Sequence, residues 1–160
     1  MRTLVFMRHA RSVLTRPGQT DFERSLTTRG RLETPVMART LAQHGICPEL
    51  IISSPAARAL MTARLVAEEL RLADHVISVE TALYEASRDH YLELLSRLSA
   101  GVQTVLFVGH NPGITEFINA LAPGAVGDMP PGGVAGVAVD VTQWSDVRNN
   151  CGSLLFVEHP

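Results

Sequence analysis

Short apolar runs punctuate this chain at intervals. Leu4–Met7, Leu50–Ile52, Val76–Val79, Thr104–Val108, Val134–Val141 and Leu154–Val157 are each set off by polar, glycine or proline residues, which reads as a set of buried strands. Segments of helical spacing lie between and after the first four. Leu60, Ala63, Ala67 and Leu70 fall on one face of a helix, as do Tyr91, Leu94, Leu95 and Leu98, and again Ile114, Phe117, Ile118 and Leu121. Each parallel step in a sheet needs a crossover, so alternating strands and helices predict a three-layer α/β/α domain. Its central sheet has about six strands and is mainly parallel. No helical pattern joins the last two runs, which predicts an antiparallel edge.

One helix is ambiguous. Arg29–His44 has helical composition, but Pro35 removes a backbone donor in its middle at a cost of about 3 kcal/mol or more. Either the helix kinks there, or it starts there with Thr34 as its cap and Pro35 in the first position. No repeat, low-complexity tract or linker divides the chain, so residues 1–160 are expected to form one domain.

Composition narrows the chemistry. All 14 basic residues are arginine, which excludes a Schiff-base lysine and a phosphate loop of the GxxxxGK[ST] type. Any phosphate grip must use guanidinium forks or backbone amides. The formal net charge of −2 argues against a general nucleic-acid or membrane surface. Aromatic residues, at 5%, make no base-stacking platform. Within residues 1–31, however, seven arginines face two acids, an excess of +5 that fits either a solvated face or an anion site. Cys47 and Cys151 lack CxxC spacing and are expected to be packing residues in a reducing compartment. The run Leu4–Met7 is too short for the core of a signal peptide or for a membrane span, which sets a cytoplasmic expectation.

Three motifs follow directly after strands. Arg8 and His9 end the first, Ser53-Ser54-Pro55-Ala56-Ala57-Arg58 follows the second, and Gly109-His110-Asn111-Pro112-Gly113 follows the fourth. In open parallel sheets ligands bind beyond the carboxyl ends of the strands, so all three point to one mouth. Ser54 can cap a helix whose first position is Pro55. That puts Arg58 in an already positive first turn, an oddity that an anion would resolve. The helix after Gly113 would aim free amides at the same place, although Asn111-Pro112-Gly113 also reads as a simple turn. A phosphoryl group suits this set. Two arginines can grip its oxygens bidentately, and a neutral imidazole can attack phosphorus in line.

Met7-Arg8-His9-Ala10-Arg11-Ser12, Ser54-Pro55-Ala56-Ala57-Arg58-Ala59 and Val108-Gly109-His110-Asn111-Pro112-Gly113 together resemble the signatures of the histidine phosphatase superfamily. This is the phosphoglycerate-mutase-like fold, and the short SixA-type phosphohistidine phosphatases are its most similar branch. Asp21 and Arg24 followed by Leu26-Thr27-Thr28-Arg29-Gly30 also resemble that branch, as does the tail from Met129-Pro130-Pro131-Gly132 through Trp144. Arg11 stands where the branch often has lysine, and Ser25 where proline is common.

The resemblance implies that His9 is the nucleophile, that Arg8 and Arg58 hold the phosphoryl oxygens, and that His110 completes the pocket. It further implies a rim contact from Arg24 and a proton donor at Glu85, with no metal and no cofactor. The expected substrate is a phosphohistidine-bearing protein such as a phosphotransfer domain, acted on by a monomer. A small phosphate ester hydrolysed by the same mechanism is the alternative, as is a phosphoprotein-binding module without turnover. A metallohydrolase using these histidines fits poorly, because no HExxH or His/Cys cluster is present and arginine beside each site repels a cation. His44, His75, His90 and His159 are expected to be solvated or capping.

Overall fold

The computed structural model describes all residues, Met1–Pro160. Six strands, β1 (Arg2–Arg8), β2 (Leu50–Ser53), β3 (Ile77–Val79), β4 (Thr104–Gly109), β5 (Val134–Val139) and β6 (Gly152–Glu158), form one sheet in the order β3-β2-β4-β1-β5-β6. β3, β2, β4 and β1 run parallel, whereas β5 is antiparallel to both β1 and β6. The predicted mainly parallel sheet with an antiparallel edge is therefore present. Helices α1 (Thr28–Gln43), α2 (Ala57–Glu69), α3 (Arg88–Ser96) and α4 (Gly113–Leu121) cover it.

The unbroken apolar runs have a simple cause. Successive strand side chains point to opposite faces, and here both faces are covered. Val5 and Met7 of β1 join a cluster with Met37, Ala38 and Leu41 of α1 and Ala59, Ala63 and Val66 of α2. Leu4 and Phe6 join the other cluster with Tyr91, Leu94 and Leu95 of α3 and Ile114, Phe117 and Ile118 of α4. Phe6 stacks on Phe107 at 5.7 Å and meets Phe117 edge-on at 5.6 Å.

The ambiguous helix is continuous through Pro35, with Thr27 rather than Thr34 as its cap; the Thr27 hydroxyl accepts from Gly30 N at 2.9 Å. Thr34 lies inside the helix and donates to Gly30 O at 2.7 Å. Packing of Met37, Ala38 and Leu41 holds the segment helical past the missing donor.

The cysteine expectation is corrected for Cys47, which is exposed. Its neighbours Ile46 and Pro48 turn inward, and the alternation leaves Cys47 facing water. Trp144 is buried and donates its indole N–H to Val102 O at 2.9 Å, a packing role. The remaining histidines are peripheral. His44 caps α1 and pairs with Glu158 at 3.0 Å, and His90 Nδ1 accepts from Ser87 N at 3.0 Å. His75 and His159 are exposed.

Candidate active site

The carboxyl ends of β1, β2 and β4 lie side by side, because Arg8 pairs with Gly109 and Ser53 with Val108 in the parallel register. Residues just beyond those strands are forced into one place. His9 N donates to Gly109 O at 3.0 Å, Ser54 N donates to Val108 O at 3.0 Å, and Gly132 N bonds back to Arg8 O and His9 O. Ala10 N donates to the Thr62 hydroxyl at 3.0 Å, and that hydroxyl donates to Arg58 O at 2.8 Å, tying the end of β1 to α2.

His9, Arg58 and His110 meet at this mouth. The His9 and His110 rings are 5.2 Å apart at 54°, and Arg58 Nε donates to His9 Nε2 at 3.3 Å. His9 Nδ1 lies 2.8 Å from Ala10 O, an acceptor, so Nδ1 carries the proton and Nε2 the lone pair that accepts from Arg58. Burial, then the charges of Arg58, Arg8 and Arg24, push His9 down to about 4, overriding the opposing bond to Ala10. Burial likewise takes His110 to about 3, aided by His9 and Arg58. Both rings are neutral at pH 7.

The two arginines keep donors in reserve. Arg8 spends one N–H on Met129 O at 2.9 Å, while its buried Nε has no partner. Burial lowers its pKa against the pull of Asp128, and Arg58 lowers it further. Arg58 donates from Nη1 to Asp21 O at 2.7 Å and from Nη2 to Asp21 Oδ2 at 3.0 Å. A guanidinium has five N–H groups, so two more stay free on Arg58 besides the long bond to His9.

Asp21 is a residue whose role the sequence reading missed. It sits in a single 3-10 turn, Asp21–Glu23, that crosses the start of α2. Its carboxylate accepts from Tyr84 at 2.6 Å, from Arg24 Nη1 at 2.8 Å and from Arg58, and the Tyr84 bond leads in holding it down at about 2. The same bond raises the Tyr84 hydroxyl. The DxxR spacing was visible in the sequence; the guanidinium that Asp21 would hold was not. Arg24 also donates to Val13 O at 2.8 Å and to Ser12 Oγ at 2.5 Å, so most of its donors fasten the loop between β1 and α1 rather than face the mouth.

Glu85 is exposed and lines a cavity of about 400 Å³ with Tyr84, His110, Asn111 and Gly113. Gly113 permits this approach, since a Cβ there would stand 2.5 Å from Ala86 O. Ser54 does not cap a helix starting at Pro55. The helix begins at Ala57, and the Ser54 hydroxyl accepts from Ala56 N at 3.2 Å while lying 2.7 Å from His110 Nε2. No group of three or more His, Cys, Asp or Glu side chains is placed to hold a metal ion. No helix is long and apolar enough to cross a membrane.

Residues 4–97 match the family model of the histidine phosphatase superfamily (branch 1). An uncharacterized protein of Picosynechococcus sp. is 33% identical over 125 residues, which is 78% of this chain and 75% of that protein. A structure described as a candidate SixA phosphohistidine phosphatase of Nakamurella superposes with a TM-score of 0.85 at 26% identity, covering 99% of this chain and 96% of that one. The protein histidine phosphatase SixA complexed with tungstate gives 0.82 at 26% identity, covering 97% and 95%. By this family match, and by a fold shared over nearly the full length of both structures, the chain belongs to the histidine phosphatase superfamily, in its SixA-type branch.

Proposed function

We propose that the chain, as one catalytic domain of residues 1–160, hydrolyses phosphohistidine in a protein partner through a covalent phosphohistidine on His9. The observation that carries this reading is a neutral imidazole whose Nδ1–H is tied to Ala10 O and whose Nε2 lone pair lies among guanidinium groups with unspent donors. In the first step the Nε2 lone pair attacks phosphorus. The bond from phosphorus to the substrate's imidazole nitrogen breaks, and that nitrogen keeps the electron pair and takes a proton. In the second step water attacks phosphorus, the bond to Nε2 breaks, and His9 recovers its lone pair as inorganic phosphate leaves.

Arg8 and Arg58 bear the charge on the transferring oxygens. An ion pair at about 4 Å in an effective dielectric near 20 is worth up to ~4 kcal/mol before desolvation, enough for clamping to supply much of the rate. His110 completes the pocket, and Glu85 is the proton donor in the first step and the acceptor of water's proton in the second. The 3.3 Å bond from Arg58 to His9 is long, so an incoming oxygen replaces it at small cost. Arg24 acts here mainly through Asp21, with a phosphoryl contact limited to its remaining N–H groups. The chemistry uses no metal.

A protein substrate is supported by the open rim. Phe22, 40% exposed, and Tyr84 meet edge-on at 5.3 Å at the mouth. The likeness to the protein histidine phosphatase SixA and to its tungstate complex, a tetrahedral oxyanion, supports the same reading.

Rapid quench with a radiolabelled phosphorylated phosphotransfer domain is the test. Acid-labile label mapping to His9, absent in His9→Ala, with turnover unaffected by chelator, is expected. Label at another residue, or no label during turnover, overturns the nucleophile. Small phosphate esters giving the higher kcat/KM overturn the substrate, and binding without hydrolysis overturns the enzyme.

A further inference from the structure

The two imidazoles of the mouth are distinguished by what the protein takes from each. At His9 the backbone consumes the N–H and leaves a lone pair. At His110 the balance turns on Ser54, which is fully buried beside the end of β4.

The Ser54 oxygen accepts from Ala56 N at 3.2 Å, and His110 Nε2, 2.7 Å away, is the hydroxyl's one hydrogen-bonding acceptor. If Ser54 donates its proton to Nε2, a single group is left unmet, the His110 Nδ1–H, which is buried and has no protein partner. If Nε2–H donates to Ser54 instead, two groups are left unmet: the buried serine proton and a bare Nδ1 lone pair. Buried polar groups in native proteins are overwhelmingly paired, so the first arrangement is favoured, and its one leftover donor needs an acceptor from outside the chain.

We propose that Ser54 is a positioning residue that holds His110 as its Nδ1–H tautomer, reserving that N–H for an oxygen of the substrate's phosphoryl group. The inference deepens the phosphatase reading and rests on it. The same tautomer then serves opposite ends in the two rings: His9 offers a lone pair to phosphorus and His110 a proton to oxygen. A base at His110 would compete with His9; a donor assists it.

Nitrogen-15 NMR of the histidine-labelled full chain, without substrate, reads the tautomer directly. The expected wild-type pattern at His110 is a protonated Nδ1 and an unprotonated Nε2. Ser54→Ala is expected to shift the population toward Nε2–H, and Ser54→Cys, a weak donor of similar shape, to fall between. Inorganic phosphate should move the His110 Nδ1 resonance in the wild type and move it much less in Ser54→Ala. The expected loss in kcat for Ser54→Ala is about ten-fold, the effect of one hydrogen bond. An Nε2–H tautomer in the wild type overturns the proposal, as does full kcat in a folded Ser54→Ala. Failure to label His9 would defeat the phosphatase reading separately, because the tautomer measurement needs no turnover.

Discussion

β1 carries an arginine at each end, one buried and one half-buried, and the two are treated differently. Arg2, at the amino end, is 5% exposed and donates to Ala100 O, Val102 O and Thr142 O, with its guanidinium 5.0 Å from the Trp144 ring. Arg8, six residues on, donates to one carbonyl and buries an Nε with no partner. Dehydrating a guanidinium costs free energy, and hydrogen bonds to carbonyls return it. At Arg2 the protein completes that exchange and gains a fastener between the α3–β4 loop and the segment after β5. At Arg8 it leaves the exchange open, and the unspent donors are what an oxyanion can use. An arginine set into the fold is read as structural or functional from its unmet hydrogen bonds.

Substitution separates the two ends. Arg8→Ala is expected to lower kcat on a phosphohistidine substrate by about 10² to 10³, the loss typical of removing an oxyanion donor, with little change in unfolding free energy. Arg2→Ala should do the reverse. It removes three hydrogen bonds to carbonyls and uncovers Trp144, so urea unfolding should show a loss of about 3 kcal/mol while kcat per folded molecule stays unchanged. Equal effects of the two changes on kcat would break the comparison.

The Arg8 end also carries the pH dependence. Burial and guanidinium charge hold His9 near 4 and His110 near 3, below their ordinary 6.5, so around pH 5 the unfolded chain binds protons that the folded chain refuses. Their contribution is therefore full above about pH 6.5 and declines as pH falls toward 4. Asp21, held near 2 against 3.8, loses its own contribution only below that range. Urea midpoints at pH 7, 5.5 and 4.5 should decrease in that order, and replacing both histidines by asparagine should flatten the trend.

The smallest expected effect is at Glu85. Glu85→Gln should slow hydrolysis of an alkyl phosphate about ten-fold and of phosphohistidine by less, because an imidazole leaves more readily than an alkoxide. Equal slowing of both substrates would show that leaving-group protonation does not distinguish them.

Legibility in the sequence followed the range of the forces involved. The strands were readable because a sheet covered on both faces demands unbroken apolar residues; their bounds slipped where polar, glycine or charged ends such as Arg2, Arg8, Ser53, Gly109 and Glu158 interrupt the apolar signal, and the run Val134–Val141 went past the end of β5 at Val139. The Thr27 cap of α1 was missed because Pro35 was the stronger local mark, whereas packing against β1 and α2 decided the matter. Ser54 was misread as a cap for a comparable reason, since its partner His110 lies 56 residues away.

The sequence by itself determined the alternation of strands and helices, the placing of Arg8, Arg58, His9 and His110 at or beyond strand ends, and the restriction to guanidinium and imidazole chemistry. These follow from side-chain periodicity and from an inventory of donors and acceptors, both local properties of the chain. Only the tertiary structure decided which donors are spent. Arg58 reaches His9 across 49 residues and Arg8 reaches Met129 across 121, while Asp21 folds over to hold Arg58. Hydrogen bonds saturate, so the capacity left for a substrate is known only after every partner in space has taken its share.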